Sequence, residues 1–207
     1  MTYSGATTAN VLTDSQHGAP PQVEALDGSE DLVTVTIGGN DAGYVPLLTV
    51  AGLPRIVRSV PLLGGVVRDM LDPTARDRAL VGVAESLKAV GRTLRQRSPR
   101  AKVLFVDYLT LLPPAGTPAP PLSDVDVALG SRVADTLERL TGEAAADTGC
   151  GWVRVAEASR EHHAWSAMPW TSKPTRFGLP LPGRPAPLHP NADGMRAVAD
   201  LVVSAAT

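Results

Sequence analysis

The chain has 207 residues, 43% of them hydrophobic and 19% charged, which predicts a single globular domain spanning residues 1–207. Its net charge of −2 argues against nucleic acid as a partner, because phosphate backbones attract clustered positive charge. No segment has the roughly 20 apolar residues of a membrane span, and Met1–Ser4 lacks the basic and apolar regions of a signal peptide. The single cysteine, Cys150, rules out an internal disulfide and is interpreted as a small core residue.

Hydrophobic patterning along the chain predicts strands that alternate with helices. The β-branched run at residues 31–37 is typical of a buried parallel strand, and similar runs occupy residues 102–106 and 151–155. A helix is expected before each of the last two strands, because apolar residues recur there at three- and four-residue steps. The predicted core residues are Leu80, Val83, Leu87, Val90 and Leu94 in the first helix and Val133, Leu137, Leu140 and Ala144 in the second.

A last helix is predicted to begin after Asn191, whose side chain suits an N-cap. Its inner face is expected to carry Met195, Val198, Leu201 and Val202. Strands that alternate with helices predict the α/β class, with three α/β/α layers in which helices cover both faces of a parallel sheet.

Three longer segments, residues 44–73, 108–123 and 157–188, are predicted to be irregular. In doubly wound sheets ligands bind beside the carboxyl ends of the strands, where such loops lie. Trp165, Met168 and Trp170 are therefore candidate wall residues of a substrate pocket, with Trp170 as the predicted substrate-binding residue. The alternative is that this loop only covers its own core.

The motif Ile37-Gly38-Gly39-Asn40-Asp41 directly follows the first predicted strand. A tight turn at that position would aim the Asn40 amide at an oxygen on which negative charge develops. One such donor is worth roughly 10²–10³ in rate. A plain turn is equally consistent with this sequence, because Gly, Asn and Asp are ordinary turn residues.

Residues 4–12 read as a turn of small residues that leads into a helix. The Gly5 N–H would point into a cleft at the helix N-terminus, where unpaired amides favour negative charge. A simple helix cap by Ser4, Thr7 or Thr8 explains the same residues.

His189 immediately precedes the last predicted helix. A neutral imidazole can act as the general base for a serine hydroxyl near pH 7, although a lone histidine is more often structural. His17, His162 and His163 have no comparable setting, and solvent exposure or loop packing is expected for all three. The sequence around them shows no carboxylate cluster that would complete a metal site, and no metal or cofactor is predicted.

Taken together and in this order, Ser4-Gly5-Ala6-Thr7-Thr8, residues 36–43 and His189-Pro190-Asn191 resemble the SGNH/GDSL hydrolase family. The likeness is closest to secreted actinobacterial esterases and lipases, and it spans the whole chain. It implies the flavodoxin-like fold of SGNH hydrolases. It also implies that the Gly5 N–H and the Asn40 amide form an oxyanion hole and that His189 is the catalytic histidine.

The chain departs from this family in its nucleophile. The Gly-Asp-Ser turn that supplies the serine is absent, so no residue of this chain is assigned as the nucleophile. Ser4 or Ser15 could in principle substitute as the nucleophile, but Ser4 adjoins the oxyanion glycine rather than facing His189, which argues against it. The resemblance implies that N-terminal strands are missing, that residues 32–37 form an open sheet edge, and that the 207-residue chain is inactive.

A second departure concerns the group that orients the histidine. Ala186 stands where family members commonly carry an aspartate, so a backbone carbonyl is expected to orient the His189 ring. The resemblance then implies a carboxylic ester hydrolase that acts on a small-molecule or lipid ester by Ser-His acyl transfer. The alternative is a non-catalytic protein that binds an acyl or glycan ligand on the same fold, which the absence of a nucleophile favours.

Overall fold

A three-stranded parallel sheet forms the centre of the fold. The structure, a computed structural model, describes residues 3–58, 61–173 and 186–207. Strands β1 (Leu32–Val35), β2 (Lys102–Val106) and β3 (Gly151–Val153) lie side by side in that order. Val35 pairs with Phe105 and Val106 with Val153, so the three carboxyl ends meet at one edge of the sheet.

Helices connect these strands and cover the sheet. Short 3₁₀ helices occupy Gln22–Ala25 and Arg160–His162. The α-helices of the described residues are α1 (Thr8–Leu12), α2 (Tyr44–Ala51), α3 (Arg55–Arg58), α4 (Pro61–Met70), α5 (Pro73–Arg97), α6 (Asp124–Thr148), α7 (Val155–Ala158) and α8 (Ala192–Ala206).

The two faces of the sheet are covered by different helices, as alternate residues of β2 show. Val103 and Phe105 belong to the larger core cluster with α5 and α6, whereas Leu104 and Val106 pack with α8. The predicted apolar stripes of α5 and α6 are all buried, which confirms them. The predicted three-layer α/β/α architecture with a parallel sheet is likewise confirmed.

Strand β1 lies at an edge of the sheet. Within the described residues it pairs with β2 alone, as the prediction of an open edge at residues 32–37 requires. Val33 and Val35 are partly buried on the α5 side, whereas Leu32 is 40% exposed on the other face.

The structure corrects two predictions. Residues 44–73 are not irregular but contain α2, α3 and α4. Pro61 and Pro73 each open a helix, where the missing N–H of proline leaves no bond unmade.

The second correction concerns Met195, which is 62% exposed rather than on the inner face of α8. Val198, Leu201 and Val202 pack on the sheet as predicted, but Met195 lies in the first helical turn, beside the cleft at the strand ends. No helix in the described part of the chain is both long and apolar enough to cross a bilayer.

Candidate active site

The turn after β1 fixes Asn40 at the carboxyl end of the strand. Gly38 has a φ of +99°, and its carbonyl accepts from the Ala42 N–H at 2.9 Å. The Gly39 N–H donates to the Tyr108 hydroxyl at 3.0 Å, and a β-carbon on Gly39 would lie 2.7 Å from Tyr108 Cζ. Glycine is therefore required for the turn to rest on this ring.

The Asn40 amide joins this turn to the N-terminal segment. Its Nδ2 donates to the Ala6 carbonyl at 2.9 Å. An amide nitrogen carries two hydrogens, and this is the one bond that Asn40 Nδ2 makes within the described residues. Its second N–H can therefore serve a ligand in the neighbouring cleft.

Asp41 ties the start of α1 to the same turn. The Thr8 N–H lies 3.1 Å from both carboxylate oxygens of Asp41, and the Thr8 hydroxyl donates to Oδ1 at 2.5 Å. A carboxylate at a helix N-terminus satisfies unpaired amides and is favoured by the helix dipole. The Thr7 side chain completes the cap, and Gly5 just before it has a φ of +79°.

His189 is carried by the turn that leads into α8. Its Nδ1 lies 3.0 Å from the Pro187 carbonyl oxygen, the kind of backbone carbonyl that was expected in place of the aspartate. A carbonyl oxygen can only accept, so this bond requires the proton on Nδ1 and leaves the lone pair on Nε2. The predicted N-cap of α8 is confirmed, because Asn191 Oδ1 accepts from the Gly194 N–H at 2.9 Å.

Gly5, Asn40 and His189 line one cleft of about 740 Å³ at the carboxyl ends of the strands. Its wall is largely apolar. The apolar side chains come from α2 (Val45, Pro46 and Val50), α4 (Val66 and Met70) and α8 (Met195 and Val198). Among the described residues that line this cleft, Ser4 is the only serine.

Asp107 and Tyr108 follow β2 and border the same cleft. The Asp107 carboxylate is 3% exposed and accepts from Trp152 Nε1 at 2.9 Å and from the Ala156 N–H at 2.8 Å. Burial raises the pKa of Asp107 to about 6 despite these two bonds. Burial also raises the pKa of Tyr108 to about 12, so its hydroxyl is neutral where it accepts from Gly39.

Trp170, the predicted substrate-binding residue, does not line the cleft. Its ring stacks on His162 at 4.1 Å, and its carbonyl accepts from the Asn191 N–H. Its neighbour Thr171 borders the cleft instead. Part of the predicted 157–188 loop, residues 174–185, lies outside the described residues.

The remaining histidines and the cysteine do not line the cleft. His17 is exposed, and His163 is partly buried, which lowers its pKa. The His162 ring bonds to the Met168 carbonyl. Cys150 is partly buried against the main core cluster, near Thr148.

Sequence reasoning missed the residues that hold the Asn40 turn in place. Tyr108 could have been found from its position directly after a predicted strand. Arg76 gave no signal, because its partner is distant in sequence: its buried guanidinium donates to the Ala42 carbonyl at 2.9 Å and lies 3.3 Å from Asp69 Oδ2.

Known proteins resemble this chain over nearly all of its length. The model of the GDSL-like lipase/acylhydrolase family matches residues 1–197. Lipase 2 of Streptomyces coelicolor is 30% identical over 207 residues, which cover 97% of this chain and 68% of that protein. The lipase of Streptomyces rimosus is 28% identical over 193 residues, covering 92% of this chain and 63% of that one. The chain thus spans about two thirds of the length of these relatives.

Two solved structures share the fold. A phospholipase A1 from Streptomyces albidoflavus NA297 superposes with a TM-score of 0.75 at 24% identity, over 99% of this chain and 78% of that chain. An extracellular lipase from Streptomyces rimosus superposes with a TM-score of 0.74 at 27% identity, with the same coverage.

Proposed function

The chain belongs to the GDSL-like lipase/acylhydrolase family, and we propose that it supplies the general base and the oxyanion hole of a carboxylic ester hydrolase. The observation that carries this proposal is the meeting of Gly5, Asn40 and His189 in one cleft, although they lie far apart in sequence. Lipase relatives over nearly the whole chain support the same chemistry.

In the proposed mechanism a serine hydroxyl attacks the ester carbonyl while His189 Nε2 takes its proton. The Nδ1 bond to Pro187 leaves Nε2 as the basic nitrogen. The Gly5 N–H and the Asn40 amide stabilise the negative oxygen of the tetrahedral intermediate. His189 then returns the proton to the leaving alcohol, and water cleaves the acyl-serine by the same steps.

We place the nucleophilic serine outside residues 1–207. Ser4 lines the cleft, but it directly precedes Gly5 and so adjoins the oxyanion donors rather than the base. Under this proposal the 207-residue chain does not turn over esters by itself.

The substrate proposed is an ester with an apolar acyl chain. The cleft wall formed by α2 and α4 is apolar, and burying each methylene of a chain there contributes about 0.8 kcal/mol. The relatives from Streptomyces coelicolor and Streptomyces rimosus carry the name lipase, which supports a lipid ester as the substrate class.

A second function is favoured by one observation, the lack of any cleft serine other than Ser4 among the described residues. A protein with this cleft and without a nucleophile would bind an acyl or glycan ligand and not hydrolyse it.

Hydrolysis of a short-chain p-nitrophenyl ester tests the proposal. We would compare the 207-residue chain, the same chain extended by the residues encoded upstream of Met1, and the His189→Ala variant of each, after confirming that all are folded. Activity is expected only in the extended chain with His189 intact. Activity of the 207-residue chain that Ser4→Ala abolishes would place the nucleophile at Ser4 and refute our placement. Inactivity of every form, with binding of a fatty acid, would favour the binding protein.

A further inference from the structure

The turn that carries His189 contains a residue in a conformation that its side chain disfavours. The His189 N–H donates to the Ala186 carbonyl at 3.1 Å, which closes a β-turn over residues 186–189. Pro187 occupies the second position and Leu188 the third, where Leu188 has a φ of +63°. A positive φ at the third position defines a type II turn, which normally places glycine or asparagine there. Leucine in the left-handed region is strained.

Contacts with one neighbouring residue hold this strained turn. The Leu188 N–H donates to the Ser172 carbonyl at 3.1 Å, and the Ser172 N–H donates to the His189 carbonyl at 3.0 Å. The Ser172 hydroxyl donates to the Ala186 carbonyl at 2.7 Å. The Leu188 side chain is 4% exposed and joins the main core cluster.

The strained φ decides which way the Pro187–Leu188 peptide faces. In the observed turn its carbonyl reaches His189 Nδ1 at 3.0 Å and its N–H reaches Ser172. A type I turn would differ by about 150° in ψ of the second residue and by about 170° in φ of the third, which reverses this peptide. Both hydrogen bonds would then be lost together.

We propose that Leu188 is a positioning residue for His189. Its left-handed conformation aims the Pro187 carbonyl at Nδ1 and thereby holds the proton there, with the lone pair on Nε2. The catalytic consequence rests on the proposed function of His189 as the base, but the preference for one tautomer does not. Under this proposal the strain at Leu188 serves to orient the Pro187 carbonyl and does not arise only from the packing of the side chain.

Two substitutions separate a backbone role from a packing role. Leu188→Gly removes the whole side chain but adopts a positive φ freely. Leu188→Val keeps most of the apolar volume, but its branched β-carbon strongly disfavours that φ. A packing role predicts greater damage from Leu188→Gly, whereas our proposal predicts greater damage from Leu188→Val.

The readout is the tautomer of His189, from two-bond ¹H–¹⁵N spectra of the ¹⁵N-labelled 207-residue chain at a pH of about 8.5. The His189→Gln spectrum assigns the signals, and the Trp152 indole N–H reports that the distant fold is intact. We expect wild type and Leu188→Gly to show the Nδ1-protonated form. In Leu188→Val the ratio of Nδ1- to Nε2-protonated forms should fall on the order of fivefold to tenfold, as expected for one lost hydrogen bond.

The reverse order of the two variants, or equal ratios in all three proteins, would overturn the proposal. If Leu188→Val does not fold, Leu188→Ala replaces it, because alanine also resists a positive φ and leaves less side chain to pack. The spectra require no enzyme activity. Suppose that Leu188→Val alters the tautomer while the active chain keeps its activity after His189→Ala. That result would refute the proposed function of His189 but would support this inference.

Discussion

The buried carboxyl of Asp107 makes the stability of the protein depend on pH in an unusual direction. Burial raises its pKa from 3.8 to about 6, although Trp152 and Ala156 donate to it. The folded state therefore holds the proton more tightly than the unfolded state. The resulting stabilisation is fully present below about pH 4 and is lost as the pH rises through about 6. The difference between a pKa of about 6 in the folded state and 3.8 in the unfolded state corresponds to about 3 kcal/mol of stability.

The Asp107→Asn variant isolates this contribution. Asparagine keeps the shape but offers one acceptor oxygen to two donors, a constant cost of about 1–3 kcal/mol. Asp27 and Glu30 have pKa values lowered by hydrogen bonds and act in the opposite direction, but their effects cancel in the comparison of wild type with variant.

Urea unfolding of both proteins between pH 4 and pH 8 provides the measurement. From pH 4 to pH 7 the free energy of unfolding of wild type should fall by up to about 3 kcal/mol relative to Asp107→Asn, and the difference should then stay constant. Asp200→Asn, which removes an exposed carboxyl, serves as the control for loss of one charge. A difference that does not vary with pH, or that varies with the opposite sign, would refute the reasoning.

Three further substitutions test the site and its scaffold. Asn40→Ala should lower kcat of the extended, active chain by roughly 10²–10³, because it removes one proposed oxyanion donor. It should also destabilise the protein by about 0.5–1.5 kcal/mol in urea unfolding, because the bond from Asn40 Nδ2 to the Ala6 carbonyl is lost. Equal kcat in both proteins would remove Asn40 from the mechanism. Gly194→Ala should destabilise by about 1–3 kcal/mol in urea unfolding, because its β-carbon would collide with the Trp170 carbonyl oxygen. Gly82 lies inside α5, and no atom lies within 4 Å of a β-carbon added there, so Gly82→Ala should instead stabilise by about 0.5–1 kcal/mol. Because both variants replace a helical glycine by alanine, opposite signs would show that the steric contact at Gly194 decides the effect.

The long helices and the positions of the three strands could be predicted because their signals are local, although β1 is an edge strand and not the buried strand that its β-branched run indicated. An apolar residue every third or fourth position requires one helical face to be covered, and the stripes of α5 and α6 are buried as that argument demands. Residues 44–73 were wrongly predicted to be irregular because local signals alone are ambiguous in this segment. Proline and glycine mark helix ends as readily as loops, and the sequence does not say which of the two holds.

The roles of individual side chains in the site were only partly predictable. The sequence singled out Gly5, Asn40 and His189 through turn and helix-start motifs and their resemblance to a family. It did not reveal that Asp41 would hold α1 or that Tyr108 would support Gly39. The first contact joins residues that are 33 positions apart in sequence, and the second joins residues that are 69 positions apart. No local sequence pattern predicts contacts over such separations.

The sequence by itself therefore determined the α/β class, the covered faces of its main helices and the residue types suited to ester chemistry, because each depends on neighbours along the chain. Only the tertiary structure decided that Gly5, Asn40 and His189 line one cleft at the carboxyl ends of the three parallel strands. It also decided that Leu188 adopts a left-handed conformation and that the Pro187 carbonyl faces the imidazole. The orientation of that peptide depends on the left-handed conformation of Leu188 and on the hydrogen bonds that the turn makes with Ser172, which is distant from it in sequence.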